Sequence, residues 1–154
     1  IPIPAQMIAF VFGLPLVGIQ YSLFTSAIIV LIIYTAAFVA ETLRSGINTV
    51  ADGEIEAARA LGMSPVMVLR LLVLPQAYAR VVQPLGNVMI TLMKNTSVVA
   101  IVGVADLTYV ADRVAVRQAQ VVTIFAGAML IYIGLGLILG FAVGLVDRKV
   151  AIRR

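Results

Sequence analysis

Three long apolar stretches, set apart by two polar segments, organise this chain. Residues 23–43 (LFTSAIIVLIIYTAAFVAETL) stay apolar as far as Glu41 and close on Arg44. Residues 82–104 and 122–146 follow the same rule. Each stretch has at least the roughly 20 residues that an α-helix needs to cross a hydrocarbon core about 30 Å thick. Residues 1–20 carry Pro2, Pro4 and Pro15 and read as the end of a membrane segment, with a partial span over 1–12, followed by a turn. Residues 45–80 are too polar for lipid. The stretch ADLTYVADRVAVRQAQ is also polar, with a helical pattern that predicts a short surface helix from Asp106 to Gln120. The pattern predicts one all-α, polytopic transmembrane domain over 1–154, with no internal boundary.

The 45–80 segment has the punctuation of a short helix pair. Asp52 is a candidate N-cap, with Glu54 and Glu56 in the opening turns where acid complements the helix dipole. Ala57, Ala58 and Ala60 favour helix and leave room for a close neighbour. Gly62 stands where a helix would stop on a left-handed residue. Ser64-Pro65 offers a second N-cap with proline at the first helical position. Pro75 predicts an interruption before the next span.

Composition supports the membrane reading: 62% of residues are hydrophobic and 12% charged, where soluble domains carry about 25% charge. The net charge of +4 is no sign of nucleic-acid binding, because the basic residues gather at the membrane borders. Arg44, Arg59, Arg70 and Arg80 flank or occupy the 45–80 loop, and Arg148, Lys149, Arg153 and Arg154 form the tail. Only Arg113 and Arg117 lie between the last two spans. By the positive-inside rule the loop and the tail are cytoplasmic. Cysteine and histidine are absent, which removes thiol nucleophiles, thiolate sites and the commonest metal ligand. With no G-x-S-x-G and no H-E-x-x-H either, no catalytic or metal residue and no cofactor is predicted. The opening IPIPAQMIAFVFGLP has no charged leader and does not read as a signal peptide, so an N-terminal truncation is expected.

The spacing within the loop is specific: Glu56-Ala57-Ala58, three residues, Gly62, nine residues, then Leu72-Val73-Leu74-Pro75. It resembles the EAA loop of the permease subunits of ABC importers, with Leu72 where that pattern has isoleucine. AAFVAETLRSGI before the loop and LMKNTSVVAIVGVADLT after it are similar to the histidine, glutamine and glutamate group of polar amino-acid permeases. Asn95 departs from that group's KDTS and removes one negative charge. The resemblance implies a permease with five membrane helices and an outside N-terminus, two of them partly or wholly missing here. It further implies that Glu56, Ala57, Ala58, Gly62, Leu72, Leu74 and Pro75 form a coupling segment docking on a cytoplasmic ATP-binding subunit. A second permease subunit, an extracytoplasmic binding protein and the bilayer of a bacterial plasma membrane complete the implied partners. The chain has no G-x-x-x-x-G-K-[ST] phosphate loop, so ATP hydrolysis falls to a partner.

Lys94 lies mid-span, where an unpaired charge costs at least ~2.5 kcal/mol. Lys94, Asn95, Thr96 and Ser97, with Glu41, are candidates for a polar translocation path suited to an amino acid's carboxylate. The alternative is structural: Lys94 pairs with Glu41 or a helix end, or Glu41 pairs locally with Arg44. Gly136, Gly140 and Gly144 make a flat ridge read as helix packing. Two other functions stand beside amino-acid import: import of another small nutrient such as methionine, and a passive channel or scaffold without an ATPase.

Overall fold

The computed structural model describes residues 1–150, all helix and connecting turns with no strand among them. Arg153 and Arg154, counted above for orientation, lie outside the described residues. Contacts group the chain into two compact units: Ile1–Ala36 with Met89–Ile138, and Ala37–Val88 with the segment from Leu139 onward.

In the first unit, α1 (Ile3–Ile8) starts on Pro2-Ile3-Pro4, where missing N–H groups cost nothing in an opening turn. It runs on through a wide π turn, Ala9–Gly13, and a tight 3-10 stretch, Leu14–Val17. Ile3, Met7 and Val11 recur every four residues, so they share one face. That face is buried with Ala27, Val30, Val99 and Val102. In lipid, which is as apolar as these side chains, close van der Waals packing of this face holds the short segment in the unit. Helix α2 (Leu23–Ile47) begins at Ser22, whose hydroxyl accepts the Thr25 N–H at 3.0 Å. Helix α6 (Leu107–Gln118) begins at Asp106, which accepts the Tyr109 N–H at 2.8 Å.

In the second unit, α3 (Asp52–Ala60) and α4 (Pro65–Met67) enclose a small core of Val50, Ala58, Val68 and Val73, with Ile55, Met63 and Leu72 packed on it. Two sequence expectations are corrected here. Asp52 does not cap α3: the cap is Ala51, without a side-chain bond, and Asp52 is the first helical residue. Its carboxylate still complements the helix dipole from that place. Pro75 does not interrupt the chain either. A π stretch, Val68–Val73, joins α4 to α5 (Leu74–Asn95), and α5 tightens into a 3-10 stretch, Thr96–Val102. The widened turns precede the proline, and Pro75 sits at the second position of α5, where a clash with the preceding turn is relieved. Pro65–Val102 is therefore one helical run of 38 residues.

Among the described residues, three runs are long and apolar enough to cross a membrane: Leu23–Ile47, Pro65–Val102 and α7, Val121–Val150. Two close helix approaches involve glycines outside the expected ridge. A Cβ on Gly86 would overlap the Val143 methyls, and one on Gly46 would overlap Val81. By contrast, a Cβ on Gly144 meets nothing within 4 Å, and one on Gly136 meets only Met93 Cε at 3.7 Å. Gly46 and Gly86 thus each admit a close neighbour that a Cβ would displace.

Candidate functional site

The loop between α2 and α5 is locked by its own backbone. Gly62 adopts φ +82°, the left-handed region that an L side chain enters only at a cost. The Met63 N–H reaches back to the Ala58 carbonyl at 3.2 Å and the Gly62 N–H to Arg59 at 2.9 Å. This is the Schellman pairing, and Met63 and Ala58 meet in the loop's core as that motif favours. Ser64 then accepts the Met67 N–H at 3.3 Å and restarts the helix. Ala58 is buried, while Glu56, Ala57, Gly62, Leu74 and Pro75 are exposed and Leu72 is half-buried. Leu61, beside the turn, is 84% exposed. The result is a rigid helix pair with a charged and small-residue outer face.

Two braces tie this pair to α5, and sequence reasoning missed both. Gln76 Nε2 donates to Glu54 Oε2 at 2.7 Å, and Arg80 Nη1 donates to the Thr49 carbonyl in the turn before α3. Gln76 and Arg80 stand four apart on one face of α5, a spacing that was available as a signal.

Lys94 lies in the last turn of α5 and not at the middle of its helical run. It lines a cavity of about 440 Å³ with Ile90, Met129, Tyr132, Ile133 and Gly136. Among the described residues its ammonium has no ion pair or hydrogen bond; Glu41 pairs with Arg44 instead, at 3.9 Å. Asn95, Thr96 and Ser97 do not line this cavity. The Thr96 and Ser97 hydroxyls turn back onto the Met93 and Lys94 carbonyls, at 2.6 and 2.8 Å. Tyr132 was not foreseen. Its ring is in the cavity wall, and its hydroxyl donates to Asp106 Oδ2 at 3.3 Å and lies 3.2 Å from Thr108 Oγ1. The cavity therefore offers one uncompensated cation among apolar walls, which favours an anionic group. Glu41 faces a separate cavity of about 450 Å³, with Thr42, Ser45, Thr49, Arg80 and Pro84.

Residues 1–152 match the model of the family described as the binding-protein-dependent transport system inner membrane component. The chain belongs to this family. It is 37% identical over 149 residues to the probable glutamine ABC transporter permease protein GlnM of Bacillus subtilis, covering 96% of this chain and 69% of that one. The glutamate transport system permease protein GluC of Corynebacterium efficiens is 36% identical, covering 92% of this chain and 65% of its own length. The chain thus spans about two thirds of the relatives it matches. In three dimensions it is similar to the crystal structure of an amino acid ABC transporter with histidines, at TM-score 0.90 and 32% identity, over 97% of this chain and 70% of that one. The protein is a membrane component with the all-α fold of the ABC importer permeases.

Proposed function

We propose that this chain forms the translocation unit of an ATP-driven importer of polar amino acids, of the glutamine and glutamate type. The observation that carries the reading is the exposed, backbone-locked loop at Gly62, lying in a chain of the inner membrane component family. In this reading Glu56, Ala57, Ala58 and Gly62, with Leu72, Leu74 and Pro75 behind them, dock on a separate cytoplasmic ATP-binding subunit that performs the hydrolysis. A rigid pair braced to α5 by Gln76 and Arg80 transmits a displacement, where a flexible linker would absorb it. Lys94 attracts the substrate carboxylate from its cavity wall. Its charge is costly among apolar groups until an anion arrives. A like permease subunit and an extracytoplasmic binding protein complete the assembly.

The test is uptake of radiolabelled L-glutamine, L-glutamate and L-histidine by cells lacking their own transporters for these amino acids. The full-length permease is expressed with its ATP-binding and binding-protein partners, and the ATP-binding subunit is recovered by pull-down from the same cells. ATP-dependent uptake of at least one amino acid, together with recovery of the subunit, is the expected result. Recovery without uptake of any amino acid would move the reading to another nutrient. Uptake without an ATP-binding subunit would overturn the coupling role of the loop.

A further inference from the structure

The cavity beside Glu41 holds two opposite charges that do not meet. Glu41, on α2, has only a loose contact with Arg44 at 3.9 Å, both side chains being more than 70% exposed. Arg80, on α5, uses Nη1 on the Thr49 carbonyl, and a guanidinium has five N–H donors in all. Both line the same space of about 450 Å³, within the range of roughly 300–1,000 Å³ common to small-molecule sites, yet no ion pair joins them.

The remaining wall is biased towards acceptors. The Thr42 hydroxyl donates to the Phe38 carbonyl at 2.7 Å, and the Thr49 hydroxyl donates to the Gly46 carbonyl. Their protons are committed, and lone pairs are left to offer. Pro84 has no N–H to give to the Arg80 carbonyl one turn earlier. Ser45 adds a third hydroxyl. A ligand satisfying this wall needs a compact cation for the carboxylate and hydroxyl oxygens. It also needs a planar carboxylate for the guanidinium fork, the geometry that arginine pairs with best.

We propose that this cavity is an amino-acid site that takes an α-amino acid as its zwitterion, with its ammonium at Glu41 and its carboxylate at Arg80. It is distinct from the Lys94 cavity, which offers a cation alone. Because Arg80 also holds the turn before α3, a ligand gripping its guanidinium bears directly on the coupling loop. The choice of ligand rests on the importer reading above.

The test uses the assembled complex of full-length permease and ATP-binding subunits in nanodiscs, without the binding protein. Equilibrium binding of radiolabelled L-glutamine, L-glutamate and L-histidine is measured whether or not each is taken up by cells. Saturable binding of at least one is expected. Its Nα-acetyl derivative and its α-carboxamide should each compete about tenfold more weakly or worse, the ratio set by about 1.4 kcal/mol. Glu41→Gln should erase discrimination against the acetyl derivative alone, and Arg80→Gln discrimination against the carboxamide alone. Added to Lys94→Ala, which silences the other cavity, Ser45→Leu fills the space without touching either charge and should abolish the binding that remains. Lys94→Ala should lower uptake at least about tenfold and keep this binding. Competition by both derivatives as strong as that of the parent amino acid in the wild-type complex overturns the proposal without recourse to any variant. So does binding that survives the double variant Lys94→Ala/Ser45→Leu or disappears in Lys94→Ala alone, or an absence of binding in a complex that transports. Absence of both uptake and binding for all three amino acids strikes the importer reading itself.

Discussion

Lys94 and Tyr132 share a cavity wall but use their polar ends in opposite ways. The lysine ammonium is uncommitted, whereas the tyrosine hydroxyl is spent on Asp106 and Thr108. Removing the first should therefore change transport, and removing the second should change local order. Lys94→Ala is expected to lower uptake at least about tenfold, the equivalent of about 1.4 kcal/mol, with recovery of the ATP-binding subunit unchanged. Equal uptake at normal abundance would make the lysine a structural group. Tyr132→Phe keeps the ring in the wall and deletes one hydrogen-bonded group, a loss of about 0.5–1.5 kcal/mol. Hydrogen exchange in α6 should quicken near Thr108 while membrane insertion is unaffected. The lysine was legible in sequence because a lone charge in an apolar run is conspicuous. The tyrosine was not: its partners lie 24 and 26 residues away, and no periodicity links them.

At the scale of elements, the loop's start and stop signals were readable wherever a single residue type decides the backbone. Gly62 and Ser64-Pro65 act as their chemistry dictates. Asp52 and Pro75 misled because the outcome depended on neighbours: one residue of register for the cap, and a π stretch that absorbs the proline. The Gly62 turn gives the sharpest prediction. A Cβ there meets no atom within 4 Å, so a substitution suffers from backbone conformation alone, by about 1 kcal/mol or more. It also protrudes beside exposed Leu61 on the outer face of the helix pair. Gly62→Val should leave insertion and abundance near normal, weaken pull-down of the ATP-binding subunit and abolish uptake, with Gly62→Ala in between. Wild-type pull-down and uptake in the valine variant would show that this turn is not the coupling element. Gln76→Ala tests the brace to Glu54 separately. ATP hydrolysis should persist while uptake per ATP falls, since the helix pair remains folded on its own core of Val50, Ala58, Val68 and Val73.

For the whole molecule, the deciding question is which side of the membrane receives the loop. Pro65–Val102, at 38 residues, is about 57 Å long at an α-helical rise, against a hydrocarbon core of about 30 Å. A run of that length leaves residues outside lipid, and the end carrying Pro65 and Arg70 is the polar one. Arg44, Arg59, Arg70 and Arg80 concentrate around the loop, while Arg113 and Arg117 are the only basic residues on α6. Positive charge is retained on the cytoplasmic side, which predicts the loop there and α6 outside. These 154 residues contain no cysteine, so no thiol within them competes with a single introduced one. Gly53 is exposed with open space around its Cα, and Asp112 is exposed on α6. Labelling is done on the permease expressed without its partner subunits, because Gly53 shares a face of α3 with Glu56 and Ala57. A membrane-impermeant maleimide should label Asp112→Cys in intact cells and Gly53→Cys only after permeabilisation. The reverse pattern would put the loop beyond the reach of any ATP-binding subunit, and the coupling assignment would fall with the topology. Labelling of both thiols in intact cells would place the two segments on one side, which an odd number of crossings between them forbids.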